Sequence, residues 1–210
     1  TKKGASKEIN DRNYQDVYAD PGDFNTVKNQ YGRDVIDIQN GKGILVGEGH
    51  TKDGQFPFIE EFDFNTLGKK RLYTSKLKDR KEDFVEILDP KKGDLLVTQQ
   101  SASDYPNYYI KNYKTGKTTT LTNFENPFKA LANVHKEVIT YKRNDGVTLT
   151  GNLYLPAGYD RKSKKEKLPL LVWAYPAEYK DKETAGQSTK NANTFTYPSY
   201  GSFIYWAAKG

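Results

Sequence analysis

The chain has 210 residues, with 33 Lys+Arg against 27 Asp+Glu, for a net charge of +6. The charges are interspersed, and no block of five or six like charges marks a nucleic-acid tail. There is no cysteine, which excludes disulfides and thiolate chemistry and leaves the redox compartment undetermined, and no apolar run approaches membrane-spanning length.

Hydrophobic content is low at 35%, yet aromatics reach 13% with 16 tyrosines, a mixture that suits half-buried β-sheet faces. The chain starts at Thr1, has no methionine and shows no signal-like stretch, so it reads as a piece cut from something longer. In residues 1–33 the segment NDRNYQDVYADPGDF interleaves aromatics with turn formers. It reads as the end of a preceding β unit followed by a loop.

An internal repeat organises residues 34–123. DVIDIQNGKGILVGEG (Asp34 to Gly49) precedes FPFIEEFDFNTLGKKRLYTS (Phe56 to Ser75). FVEILDPKKGDLLVTQQ (Phe84 to Gln100) precedes YPNYYIKNYKTGKTTTLTN (Tyr105 to Asn123). Ile44 and Leu95 correspond at an offset of 51, and Phe56-Pro57 and Tyr105-Pro106 at an offset of 49. Each unit reads as four short strands, with turns at Asn40 to Gly43, Asn65 to Gly68, Pro90 to Gly93 and Lys114 to Gly116. FIEEFDF and YYIKNY alternate as half-buried antiparallel strands do. Four strands repeating every ~50 residues is the signature of a β-propeller blade; an ordinary β-sandwich with chance self-similarity is the other reading.

The pattern changes near Asn126 to Val134, where we place a boundary between residues 1–130 and 131–210. EVITYKRNDGVTLTGNLYLP (Glu137 to Pro156) reads as a hairpin turning at Asn144-Asp145-Gly146. After a charged loop, Leu170 to Ala174 is an uninterrupted apolar run, as expected of a strand buried on both faces. It stops at Tyr175-Pro176 and gives way to a long polar loop, KDKETAGQSTKNANT. SFIYWAAKG (Ser202 to Gly210) places Phe203, Trp206 and Ala207 at helical spacing before a stopping glycine. The fold class expected is mostly β: propeller blades followed by the opening of an α/β-hydrolase domain.

DGVTLTGNLYLPAGYD and LPLLVWAYP, coming after such repeats, resemble the prolyl oligopeptidase family of serine peptidases, in which a β-propeller caps an α/β-hydrolase domain. The hairpin looks like the first two hydrolase strands and LPLLVWAY like the third. YPAEYKDKE is similar to the glutamyl-endopeptidase-like branch, which often carries a basic residue where this chain has Ala177. The resemblance implies that Tyr175 donates its hydroxyl to the oxyanion of the tetrahedral intermediate. It implies a peptide substrate, no cofactor and no metal. It also implies that the remainder of the same polypeptide is a partner, because no G-x-S-x-G nucleophile elbow is present and the triad falls later in hydrolase order. The isolated piece is then expected to have no peptidase activity and to leave apolar surface uncovered, which leaves self-association open. No nucleic-acid or membrane partner is expected, no substrate-binding residue is assigned, and a periplasmic or secreted location is a guess only.

Other constellations are weaker. His50 and His135 lack an elbow around Ser188 or Ser199, and two distant histidines without cysteine make a poor zinc site. Glu60 and Glu61 are adjacent in a strand and point to opposite faces. Glu178 follows the strand end and reads first as a solvated loop carboxylate. GKGILVGEG runs into a turn rather than a helix, so it is no phosphate cradle. YPNYYIKNYK could stack bases, but a blade strand with one wet and one buried face explains it more simply. The rival reading of the whole is a non-catalytic β-rich binding module for a glycan or a protein. It predicts a closed monomer with its own core, silent to dyes that report exposed apolar surface.

Overall fold

The computed structural model describes residues 4, 6–163, 167–175 and 177–210. Its strands, in chain order, are β1 (Asp23–Phe24), β2 (Thr26–Lys28), β3 (Asp34–Ile36), β4 (Lys42–Gly47), β5 (His50–Thr51), β6 (Gly54–Gln55), β7 (Phe58–Asp63) and β8 (Lys69–Thr74). They continue with β9 (Lys81–Asp89), β10 (Asp94–Gln100), β11 (Asn107–Asn112), β12 (Thr118–Thr120), β13 (His135–Lys142) and β14 (Thr148–Leu155). The helices are α1 (Lys182–Ala185) and α2 (Ile204–Lys209), with one 3-10 turn at Lys129–Leu131.

Two four-stranded antiparallel sheets dominate, in the orders β1-β4-β7-β8 and β12-β11-β10-β9. The second is a plain meander over the residues the repeat marks. Its turns are fixed locally: the Asp89 carboxylate accepts from the Lys91 and Lys92 amides, and Asn112 Oδ1 accepts from the Lys114 and Thr115 amides.

The first sheet departs from expectation at its outer edge. The strand expected from Asp34 onward does not lie beside β4. Asp34–Ile36 pairs instead with Thr26–Lys28 in a separate hairpin. Asn29 closes that hairpin, accepting on Oδ1 from the Tyr31 and Arg33 amides, so a short-range pairing outcompetes the longer one. The edge beside β4 is therefore a composite. Asp23 and Phe24 pair with Val46 and Leu45, and the Asn25 amide donates to Ile44. The chain then leaves for the β2–β3 hairpin and returns where the Asp37 amide donates to Asn25. Gln39 and Lys42 close the edge across a two-residue turn, Asn40-Gly41, with φ of 53° and 74°. Two positive φ values in succession match the right-handed twist of the flanking strands. Residues 1–33 thus give the first sheet an edge strand as well as a loop.

The two sheets share one core. Ile59 of the first sheet packs with Leu95 and Val97 of the second, and Ile44, Tyr73, Phe84 and Tyr109 close around them. Ile44 and Leu95, matched in the repeat, meet in that core from β4 and β10. Each such side chain, fully buried, stabilises by about 1.5–3 kcal/mol over its exposed state. Phe24, Phe62 and Phe64 cluster on the other face of the first sheet, with centroids 5.0–5.4 Å apart, Phe24 stacked on Phe64 and Phe62 edge-on to both.

A polar network lies at the same interface. Glu82 of β9 is buried and accepts from Lys111 Nζ (2.8 Å), Gln99 Nε2 (2.9 Å) and Tyr73 Oη (2.8 Å). Tyr73 belongs to the first sheet and the other three to the second. Burial opposes the Lys111 charge, but the hydrogen bonds it donates to Glu82 and Tyr73 outweigh it and hold the amine above its ordinary pKa.

β13 and β14 form the expected hairpin, in unbroken register from His135↔Leu155 to Lys142↔Thr148. Arg143 and Val147 close its turn, with Gly146 at φ 88°. The strand expected at Leu170–Ala174 does not form. Among the described residues no strand pairs with it, and Leu170, Leu171, Val172 and Trp173 are 81, 60, 72 and 73% exposed. An apolar run becomes a central strand only when ladder partners and covering layers meet it, and the described residues provide neither. Pro176 lies outside the described residues. α2 forms as expected, but its stripe is shifted: Ile204 is the buried residue and Trp206 is 70% exposed. The helix starts at Ile204 and seats Phe203 against Tyr154 (4.9 Å between centroids), which turns Trp206 outward.

Candidate functional site

The polar loop after Tyr175 crosses back over the molecule as a strap. Gln15 exchanges hydrogen bonds with the Glu178 carbonyl and the Lys180 amide. Gln187 Oε1 accepts from the Val17 amide while its Nε2 donates to Asp16. Further along, Asn191 reaches Gln55, and Asn193 reaches the Lys78 carbonyl. Phe195 is buried; its amide donates to Gln100 Oε1, and its ring lies 5.3 Å from Tyr105 and 5.1 Å from Tyr197. Asp181 caps α1 through the Thr184 amide and also accepts from Asn13. One segment therefore ties together the N-terminal stretch, the β5–β6 turn, the linker at Lys78, the second sheet and, through Lys136 and the Thr194 carbonyl, the hairpin.

Beneath the strap lies a cleft of about 950 Å³. Val138, Thr140, Thr148 and Thr150 of the hairpin form one wall, and the β5–β6 turn and the linker around Lys78 form another. Lys52, Lys78, Lys182 and Lys190 stand on its rim with Asp53 and Glu183. Asp145 also lines it, but Arg143 grips that carboxylate with two hydrogen bonds (2.9 and 2.5 Å) and holds it well below the usual carboxylate range.

Lys136 continues the same face of β13 past Val138. Its Nζ donates to the Thr194 carbonyl (2.5 Å) and to Thr196 Oγ1 (3.3 Å), and sits 5.7 Å from the Tyr154 ring centroid. Burial, and then repulsion from Lys190, push its amine down to about 8. Because the unfolded value of 10.5 is higher, the unfolded chain binds more protons between the two values, so stability rises with pH from about 8 upward. We expect wild-type stability to gain on that of Lys136→Met between pH 8 and 10, by chemical denaturation. Equal pH slopes for the two proteins contradict this assignment.

The residues singled out in the sequence are scattered. Tyr175 is 84% exposed and does not line the cleft. His50 is buried against Glu48 (2.6 Å), and His135 is exposed 3.4 Å from Glu137. Ser188 anchors the strap, its amide donating to Tyr18 Oη. Ser199 accepts from the Ser202 amide through its carbonyl. Glu60 and Glu61 take separate partners, Arg71 (2.9 Å) and Lys42 (2.6 Å). Glu178 contributes a carbonyl to the strap contact. Sequence reasoning missed Lys136 and the strap's anchoring role. The only signal for the latter was the density of Gln, Asn and Thr in GQSTKNANT, side chains able to bond backbone at a distance.

No family model matches the chain. It is 38% identical over 213 aligned positions to a probable glutamyl endopeptidase, chloroplastic, from Arabidopsis thaliana, covering 95% of this chain and 22% of that protein. It is 36% identical to a protein of the same description from Oryza sativa subsp. japonica, covering 95% and 23%. The chain thus spans less than a quarter of the length of these relatives. Among solved structures, an isopeptidase in its apo form aligns at 14% identity with a TM-score of 0.38, over 59% of this chain and 18% of that one. A variant of the same isopeptidase gives 13% and 0.39, a likeness too slight to carry a fold argument. Across nearly its whole length, the chain is similar to one stretch of proteins named as peptidases.

Proposed function

We propose that the chain is part of a serine peptidase of the prolyl oligopeptidase type. Residues 1–130 would supply propeller blades and residues 131–210 the opening of the α/β-hydrolase domain. The observation that carries this reading is the 36–38% identity, over 95% of the chain, to proteins named probable glutamyl endopeptidases. The pair of four-stranded antiparallel sheets and the hairpin after them agree with it. In this reading the Ser, Asp and His of the triad lie outside the 210 residues, and the chain alone hydrolyses nothing.

Acyl transfer places negative charge on the former carbonyl oxygen, and the enzyme needs a donor aimed at that oxygen as the charge develops. Tyr175 takes that role in our reading. Its side chain is exposed, and the apolar run before it is suited to being clamped once further strands flank it. The preference implied by the relatives' name, for peptide bonds at glutamyl residues, comes with the same reading. The test is turnover of a peptide ester or amide by the full-length protein carrying Tyr175→Phe. A loss in kcat without a comparable rise in KM supports the role, and an unchanged kcat removes it.

A further inference from the structure

The two large sheets correspond residue by residue through their turns. The Phe64 amide donates to the Gly41 carbonyl, and the Tyr113 amide to the Gly93 carbonyl. Asp63 accepts from the Asn65 and Thr66 amides as Asn112 does from those of Lys114 and Thr115. The two turns then pass through Leu67 and Gly116, both at positive φ (60° and 76°). These anchors equate Gly41 with Gly93 and Phe64 with Tyr113, and the ladders carry the match along the strands. Ile44↔Glu61 answers to Leu96↔Ile110, and Val46↔Ile59 to Thr98↔Tyr108. The counterpart of Ile44 is thus Leu96, one residue beyond the Leu95 matched in the sequence.

That one residue decides how the sheets stack, because neighbours on a strand face opposite ways. The shared core takes Ile44 and Ile59 from the first sheet but Leu95, Val97 and Tyr109 from the second. Leu96 and Tyr108, the counterparts of Ile44 and Ile59, lie on the second sheet's other face. Likewise Tyr113 packs against the core, while its counterpart Phe64 belongs to the aromatic cluster on the far side of the first sheet. The front of one sheet therefore meets the back of the next. A front-to-back contact is heterologous and leaves a front unused, whereas a two-fold sandwich would not. The unused front is open: Ile59 is 1% exposed, but Tyr108 is 38% exposed and Leu121, whose amide donates to the Tyr108 carbonyl, 51%. We propose that this face of the second sheet, centred on Leu96, Tyr108 and Ile110, is the docking surface for a further four-stranded antiparallel sheet of the same polypeptide. That sheet would present a back like the one Leu95, Val97 and Tyr109 form here. Such a contact continues the interface already made between the two sheets, as stacked repeats do. This chain matches only 22–23% of its relatives' length, so further units have room in proteins of that size. The interface follows from the sheet registers and depends neither on the peptidase reading nor on Tyr175.

Photo-crosslinking in the full-length protein tests the surface. The variants are Tyr108→p-benzoylphenylalanine and Leu121→p-benzoylphenylalanine, with the linked peptides mapped by mass spectrometry. The expected result is a link at monomer mass to a segment of the polypeptide outside the 210 residues. A link at dimer mass gives the face to a second copy and overturns the proposal. A link confined to residues 1–210, or none from either position, overturns it as well. Hydroxyl-radical footprinting of the unsubstituted protein keeps the outcome independent of how the variants fold. Labelling of Tyr108 should fall to the level of Tyr109, which packs against the core, and well below that of Tyr31, which is 78% exposed. Labelling of Tyr108 nearer to Tyr31 than to Tyr109 means that no sheet covers the face.

Discussion

Replacing Lys111 by alanine is expected to lower stability by about 3–5 kcal/mol, the range for breaking one partner out of a buried ion pair. The Glu82 side chain is 0% exposed and that of Lys111 10%, so solvent cannot take over the bond. Without the ammonium, the carboxylate keeps only the amide of Gln99 and the hydroxyl of Tyr73 against a low-dielectric surround. Tyr73 offers only a neutral hydroxyl, since its ionisation would add a second negative charge, and desolvation keeps it protonated by raising its pKa. The loss should appear as a lower urea midpoint with an unchanged slope. A loss under about 1 kcal/mol contradicts the burial of the network, since that is the range of an exposed pair. The companion variant Glu82→Leu/Lys111→Met separates stability from specificity. Removing both charges in favour of apolar groups is expected to be neutral or stabilising by up to about 4 kcal/mol. If the pair sets the register between the two sheets, the double variant should unfold with lower cooperativity despite that gain.

Tyr175→Phe in the full-length protein is expected to lower kcat about 100- to 1000-fold, the usual consequence of deleting one oxyanion donor. The change deletes a single oxygen. The ground-state carbonyl carries little charge, so KM should move far less than kcat. The ring and its packing are kept, so stability should change far less than kcat, which separates a catalytic loss from a folding loss. A variant with wild-type kcat sinks the role, and a variant that loses turnover only because it unfolds is recognised by the stability measurement.

How much the sequence disclosed depends on the range of the interactions involved. The second sheet was legible because each strand pairs with its neighbour in sequence and each turn is set by its own Asp, Asn or Gly; Asp89, Gly93 and Asn112 do this at known positions. The hairpin at Asn144-Asp145-Gly146 was legible for the same reason. The outer edge of the first sheet was not. There Asn29 stabilises a local hairpin that interrupts a strand, and only the competition between two pairings decides the outcome. The strap was invisible because its bonds join residues more than a hundred positions apart, as from Gln187 to Asp16 and Asn193 to Lys78. Lys136 gave no signal because an alternating strand does not reveal which polar side chain will be covered. Leu170–Ala174 shows the converse. Its composition states what it needs, burial on two faces, while its fate depends on which strands flank it.

That segment is where the functional reading meets its sharpest measurement: amide hydrogen exchange across Leu168 to Tyr175 in the full-length protein. If these residues become an inner strand of a hydrolase sheet with Tyr175 at its end, their amides should exchange only with global unfolding, far more slowly than those of the β2–β3 hairpin. Exchange as fast as in an unpaired surface loop would contradict a central strand there and, with it, a rigidly held oxyanion donor.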